Sequence, residues 1–252
     1  MSRLIGYFVA LNRRMCRAID RGLPARISVD GNRDFAESIV PRYVRPGMRV
    51  VDVGGGKTPF FSTGTKHKLR LWVRGIDISA AELARSPAGA YDEIVVADIC
   101  DSSLTDRADL VVCMTVIEHV ESAELAVASL TRLVRPGGTV ALFVPCRNAL
   151  FARLNLVLPE GVKRRVLYGL YPDSVHFAGF RAHYDRCTPS ALEAVVRRAG
   201  LQVVETQVYH WSGYFDFFAP FYLGWRAASL LAVALFGEDA CDRFCIVAVR
   251  AG

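Results

Sequence analysis

The apolar and polar positions of this 252-residue chain change period several times, and each change marks an element. Short runs rich in β-branched residues stand at 49–53, 71–78, 93–97, 109–114, 139–145, 201–209 and 244–250. Bounded by turn residues, they read as strands. Helical patterns lie between some of them, most clearly at 121–134, where Arg135-Pro136-Gly137-Gly138 supplies a stop. Strands separated by helical crossovers imply parallel pairing. The pattern predicts an α/β fold: a doubly wound, mostly parallel seven-stranded sheet with helices on both faces.

The rhythm breaks twice. Residues 146–188 show no strand pattern, which is long for a connection, and such segments commonly serve as lids or binding elements. A helix follows at 189–199, with Thr188 as its N-cap and Gly200 as its stop. The second break, 211–243, separates the last two strands. The expected organisation is an N-terminal basic amphipathic helix within 1–30 and one domain over 31–252. That domain carries a helical insertion at 146–188 and an apolar helical appendage at 211–243, near the C-terminus.

Two segments have a membrane-like pattern. On a helical wheel of 3–21, Leu4, Phe8, Leu11, Met15 and Ile19 share one side, while Arg13, Arg14, Arg17 and Arg21 lie opposite. That suits a helix lying in an anionic lipid interface, or equally a lid helix packed on a core. Residues 214–236 are aromatic at first, then free of charge over 227–236. Their length suits a membrane span. A single crossing, however, would separate the last strand from its sheet, and Arg226 sits mid-segment. Pro220 and Gly224 suggest two short helices. A membrane contact, a dimer interface and a buried appendage all remain open for this segment.

Charge and cysteines narrow the classes. Net charge is +6, and six arginines against Asp20 put +5 of it in the first 26 residues. The nearly neutral remainder offers no spread basic face, so no nucleic-acid partner is expected. Seven cysteines are scattered without CxxC or Cys/His ligand spacing, which suggests neither a zinc site nor a disulfide framework. A reducing compartment and, without a secretory pattern, a cytoplasmic location follow.

The strongest chemical signal is Val50-Val51-Asp52-Val53-Gly54-Gly55-Gly56-Lys57, an apolar strand running into glycines. A P-loop would need glycine at Val51, and a dinucleotide fingerprint would need one at Pro59. Both readings fail. Further acids stand at strand ends, in Gly75-Ile76-Asp77-Ile78 and Ala97-Asp98-Ile99. Carboxylates at successive strand ends share one crevice, where open α/β sheets bind ligands.

Asp52-x-Gly54-x-Gly56 resembles the first motif of class I, Rossmann-like S-adenosylmethionine-dependent methyltransferases, with Thr58 in place of the usual third glycine. Val111 to Val120, ending Ile117-Glu118-His119-Val120, resembles the fourth-strand segment of the bacterial small-molecule and cell-envelope members. Leu133-Val134-Arg135-Pro136-Gly137-Gly138 is similar to their next landmark. The resemblance covers about residues 36–145. It implies S-adenosylmethionine as cofactor, with Gly54, Gly55 and Gly56 beneath its methionine part. Asp52 would then meet the amino group, directly or through water, and Lys57 the carboxylate. It further implies Asp77 on the ribose hydroxyls, Asp98 on the adenine amino group, Ile78 and Ile99 on the ring faces, and Thr115 at the cofactor's edge.

Ubiquinone-pathway O-methyltransferases resemble this stretch but use an acid three residues before the Glu-His pair to help bind a divalent ion. Thr115 stands there, so no metal is expected, nor close membership of that group. If the acceptor is a hydroxyl, a base must take its proton, and His119 and His183 are the candidates. A purely structural role for Glu118-His119 is the competing reading. Arg147, His176 and Tyr184 are candidate substrate residues from the first insertion. The expected activity is methyl transfer to an oxygen of a small or lipid-linked acceptor, with membrane contact through 3–21 and 214–236. The alternatives are a soluble acceptor with 214–236 as a homodimer interface, and a non-catalytic cofactor-binding or membrane scaffold.

Overall fold

The computed structural model describes residues 3–157, 181–211, 213 and 215–252. Seven strands form one sheet: β1 (Arg49–Val53), β2 (Trp72–Asp77), β3 (Glu93–Val96), β4 (Ala108–Met114), β5 (Val134–Pro145), β6 (Leu201–Tyr209) and β7 (Arg243–Arg250). Their spatial order is β3-β2-β1-β4-β5-β7-β6. The first five pair in parallel, and β7 runs antiparallel between β5 and β6. After β3 the chain returns to the middle and continues on the other side of β1. The gap between the carboxyl ends of β1 and β4 is therefore the switch point where such sheets bind ligands.

The main helices are α1 (Arg3–Arg21), α2 (Thr63–Leu69), α3 (Ala123–Leu133), α4 (Leu150–Val157), α5 (Pro189–Arg198) and α6 (Ala219–Phe236). Both sheet faces are covered, and β4 shows how. Leu110 and Val112 belong to one apolar cluster, with Phe35, Phe143 and Tyr209. Val111 and Cys113 belong to the other, with Leu130 and Leu133 of α3 and Leu192 and Val196 of α5. Period-two alternation within a continuous apolar run feeds both layers.

Three expectations change in detail. The strand expected at 139–145 begins at Val134, because Val134 pairs with Ala108 before the register shifts and Thr139 takes Leu110. Arg135-Pro136-Gly137-Gly138 does end α3, but it does so as an irregularity inside β5. Residues 214–236 do not hold two short helices: α6 is continuous from Ala219 to Phe236. Pro220 sits in its first turn, where a missing N–H costs nothing. The insertion 146–188 contains α4, and its residues 158–180 lie outside the described part.

Helix α1 spans the expected residues and is fastened to α6. Asn12 accepts the first backbone N–H of α6, from Ala219, at 2.9 Å. Asp20 accepts from the Tyr222 hydroxyl at 2.6 Å and from Trp211 Nε1 at 2.8 Å. Arg226, the one charged residue of α6, turns inward. Its guanidinium donates to the carbonyls of His210 and Ile27 and lies 3.7 Å from Asp20. A buried cation whose partners are removed is costly, and so are partners left without their cation. Arg226→Met should destabilise the fold by about 3 kcal/mol, read as a lower urea midpoint with an unchanged slope.

Candidate active site

Asp52, the penultimate residue of β1, is the centre of the glycine turn. Its Oδ2 accepts from the Phe60 amide at 2.8 Å and from the Tyr91 hydroxyl at 3.2 Å. The same hydroxyl lies 3.3 Å from the Gly56 carbonyl. Gly54 adopts φ +74, and a Cβ there would overlap the Val116 side chain. A Cβ on Gly55 would run into both Asp52 and Tyr91. The turn therefore tolerates no side chain where it closes over the carboxylate.

Asp77 ends β2, next to β1. Its Oδ1 accepts from the Ser79 amide at 2.8 Å, while Oδ2 overhangs Gly56. Asp98 lies two residues beyond β3, where its Oδ1 accepts from the Cys100 amide at 2.8 Å. Since β3, β2 and β1 are neighbours, the three acids line one edge of the sheet. Burial raises the pKa of both Asp52 and Asp77, and for Asp52 it outweighs the two hydrogen bonds and reaches about 6. A cation arriving at this edge would restore the charge that burial opposes.

The remaining cofactor candidates differ in setting. Lys57 pairs with Glu82 at 3.1 Å, so an arriving carboxylate would compete with Glu82. Ile78 is exposed at the edge, whereas Ile99 is packed into the core. Thr115 takes φ +55, unusual for a β-branched residue. It is held there by its amide on the Phe143 carbonyl and its hydroxyl on the Met114 carbonyl, both at 2.8 Å.

On the other side of the switch point, a short turn (Ile117–His119) follows β4. The Glu118 carbonyl accepts from the amides of both His183 and Tyr184, at 2.7 and 3.0 Å. Asp185 accepts from the Ala123 amide at the start of α3. Two candidate bases separated by 64 positions thus lie on segments tied to one carbonyl. His119 Nδ1 is 3.2 Å from the Arg181 carbonyl. A carbonyl only accepts, so Nδ1 carries the proton and Nε2 is the basic nitrogen. Glu118 is buried, and burial pushes its carboxyl up to about 8, which leaves it mostly uncharged at neutral pH.

Among the substrate candidates, Arg147 is exposed and donates to the Tyr184 carbonyl at 3.4 Å. Tyr184 is itself buried in the core cluster. Its ring packs in the core rather than facing an open cleft, in a segment with left-handed backbone at Tyr184 and Arg186. His176 lies outside the described residues. Among the described residues, no group of three or more His, Cys, Asp or Glu side chains could hold a metal ion.

One site residue was missed in the sequence. Tyr91 braces Asp52 from a position between β2 and β3, and its ring occupies the space that a Cβ on Gly75 would fill. A glycine inside a strand marks close approach, and Gly75 was the available sign.

Comparison with known proteins completes the picture. Residues 11–206 match the family model described as a methyltransferase domain. The chain is 32% identical over 175 residues to the ubiquinone biosynthesis O-methyltransferase of Burkholderia pseudomallei, covering 66% of this chain and 70% of that protein. The enzyme of the same name from Cupriavidus pinatubonensis is 32% identical over 168 residues, or 63% of this chain and 62% of that one. The kinship with ubiquinone-pathway enzymes is thus closer than Thr115 suggested. Among solved structures, phosphoethanolamine N-methyltransferase 2 of Haemonchus contortus aligns with a TM-score of 0.54 at 15% identity, over 95% of this chain and 57% of that one. Geranyl diphosphate C-methyltransferase of Streptomyces coelicolor aligns at 0.51 and 14% identity, over 86% and 78%. At such identities the likeness is one of fold.

The buried carboxyl gives a stability prediction. Unfolded, Asp52 loses its proton near the ordinary value of 3.8; folded, it holds the proton to about 6. Between these values the native state binds more protons, so its stability falls as pH rises and is lowest above about pH 6. Asp52→Asn removes a burial cost of about 2–3 kcal/mol. The unliganded variant should be more stable than the parent by that order at about pH 7.5, and equal to it below about pH 4. Urea midpoints at the two pH values check this.

Proposed function

This chain belongs to the methyltransferase-domain family and is an S-adenosylmethionine-dependent methyltransferase, and we propose that it methylates an oxygen of a small amphipathic or lipid-linked acceptor. The observation that carries the reading is the row of Asp52, Asp77 and Asp98 at the ends of three neighbouring strands, beside a turn with no room for side chains. The O-methyltransferase relatives support oxygen as the atom modified.

In this reading the edge of acids holds the cofactor. Asp77 takes the ribose hydroxyls, Asp98 the adenine amino group, and Ile78 a ring face. Gly54 to Gly56 pass beneath the methionine part, with Asp52 below them as brace and as counter-charge to its amino group. Ile99, packed in the core, supports the adenine side from within, and Thr115 closes the edge. Bound S-adenosylmethionine supplies a methyl group on a sulfonium that needs no further activation. The protein's task is then to align an acceptor and exclude water, and alignment can provide much of the acceleration.

The acceptor side is built by residues 117–119 and 181–187. His119, its Nδ1 proton committed to the Arg181 carbonyl, presents Nε2 to remove a hydroxyl proton. His183 is the second candidate for that proton. Arg147 provides a charged group at the rim for an acceptor's polar substituent. We place the enzyme in the cytoplasm, at the inner face of the membrane.

Two variants test separate halves of the reading. Asp77→Ala should lower S-adenosylmethionine affinity by more than tenfold, or about 1.4 kcal/mol, in a calorimetric titration; a smaller change removes the cofactor assignment. His119→Gln should keep that affinity while slowing S-adenosylhomocysteine formation on a hydroxylated acceptor by on the order of 10²–10⁴. Unchanged turnover would leave Glu118-His119 a purely structural pair.

A further inference from the structure

Helices α1 and α6 leave an unusual outer surface. Of the 18 residues of α6, Ala219, Tyr222 and Arg226 are buried. The opposite side presents Phe221, Leu231, Leu235 and Phe236, between 55 and 73% exposed. A soluble core helix would bury such residues, and a contiguous apolar patch of this kind marks an interaction site. Length and composition would even allow α6 to cross a membrane. Its two ends do not: the chain enters it after Tyr209 and leaves it before Arg243, which are paired partners in the sheet. Both ends of the excursion are therefore on one side, and α6 can only lie along a surface.

Helix α1 extends the same surface. Tyr7, Phe8, Leu11 and Met15 are exposed, and the Phe8 ring stacks on Phe218, just before α6, with centroids 6.4 Å apart. Arg14, Arg17 and Arg21 are exposed along α1. Negative charge is drawn inward: Asp20 is the one acid on either helix, and it is taken up by Tyr222, Trp211 and Arg226. Arg226 is likewise removed from the outer face. The outcome is an apolar face bordered by arginines, with Asp216 paired to Arg13 before α6 and Glu238 exposed after it.

We propose that α1 and α6 together form a docking plate for an anionic lipid surface, with Phe221, Leu231 and Leu235 entering the interface and Arg14, Arg17 and Arg21 meeting lipid phosphates. Apolar insertion and basic attraction are the two contributions that stable peripheral anchoring needs. A second copy of this chain fits less well, because its matching face offers the arginines no outward acid on either helix to pair with. The plate adjoins the sheet edge at Tyr209, Arg243 and Pro145, the edge that also carries the acceptor-side segments. This deepens the reading of a lipid-linked acceptor and rests on it for its purpose, although not for its test.

The experiment is co-sedimentation of the full chain with vesicles of phosphatidylcholine alone and of phosphatidylcholine with phosphatidylglycerol. Binding is expected to the anionic vesicles, weakened by salt. Leu231→Glu/Leu235→Glu should reduce it at least tenfold, and Arg14→Glu/Arg17→Glu should remove its dependence on anionic lipid. S-adenosylmethionine affinity, measured alongside, should be unchanged in both variants, which shows that they are folded. No sedimentation with anionic vesicles, or equal binding by the Leu231→Glu/Leu235→Glu variant, overturns the proposal. So does a dimer in light scattering that the same variant dissociates. A parent chain that transfers methyl groups but does not bind vesicles overturns the docking plate alone; a parent chain that binds vesicles but not the cofactor overturns the functional reading alone.

Discussion

The desolvated carboxylate of Asp52 is the constraint around which the site is assembled. Removing a carboxylate from water is unfavourable, and two hydrogen bonds to one of its oxygens offset only part of the cost. Those two bonds reach in different directions. One fixes the Phe60 amide, and with it the exit from the glycine turn. The other fixes Tyr91, which leads into β3 and so orders the approach to Asp98. One buried charge thus sets the relative position of three strand ends. The energy lost in holding it there is recoverable when a cation binds, a common arrangement where a site trades stability for ligand affinity.

The second half of the site is organised by backbone rather than charge. The Glu118 carbonyl holds two successive amides of a distant segment, and non-glycine left-handed residues at Thr115, Tyr184 and Arg186 bend the chain around it. Such conformations persist only where the surroundings over-determine them, and they cluster where side chains must be aimed. His119 and His183 owe their proximity to this clasp. Glu118 is buried beneath it, with one carboxyl oxygen 3.8 Å from His119 Nε2.

Much of this was legible along the chain because it is local. Strands announced themselves by apolar runs, α3 and α5 by period and stop signals, and the acids by their places at strand ends. What escaped depends on partners far apart in sequence. Tyr91 matters because Gly75 vacates the space for its ring. Lys57 is committed to Glu82, a residue that no motif links to it. Pro220 looks like a break in an apolar segment, yet its position in the first turn makes it a helix start. Tyr184 reads as a polar loop residue until a left-handed turn buries it.

The antiparallel placement of β7 has a consequence for how this chain could have acquired its outer helices. Tyr209 and Arg243 face each other across the ladder, so the sheet itself closes the long excursion between them. Asp239 holds Cys146, Asn148 and Ser190 and Cys241 lies in the core, so the part that could be exchanged without moving a strand register is the stretch before them, 211–237. The catalytic sheet and the surface that it presents to its surroundings are in this sense separately interchangeable, a socket rather than a fixed limb. The same fold can then be addressed to a different phase of the cell by replacing what is plugged into one pair of strand ends.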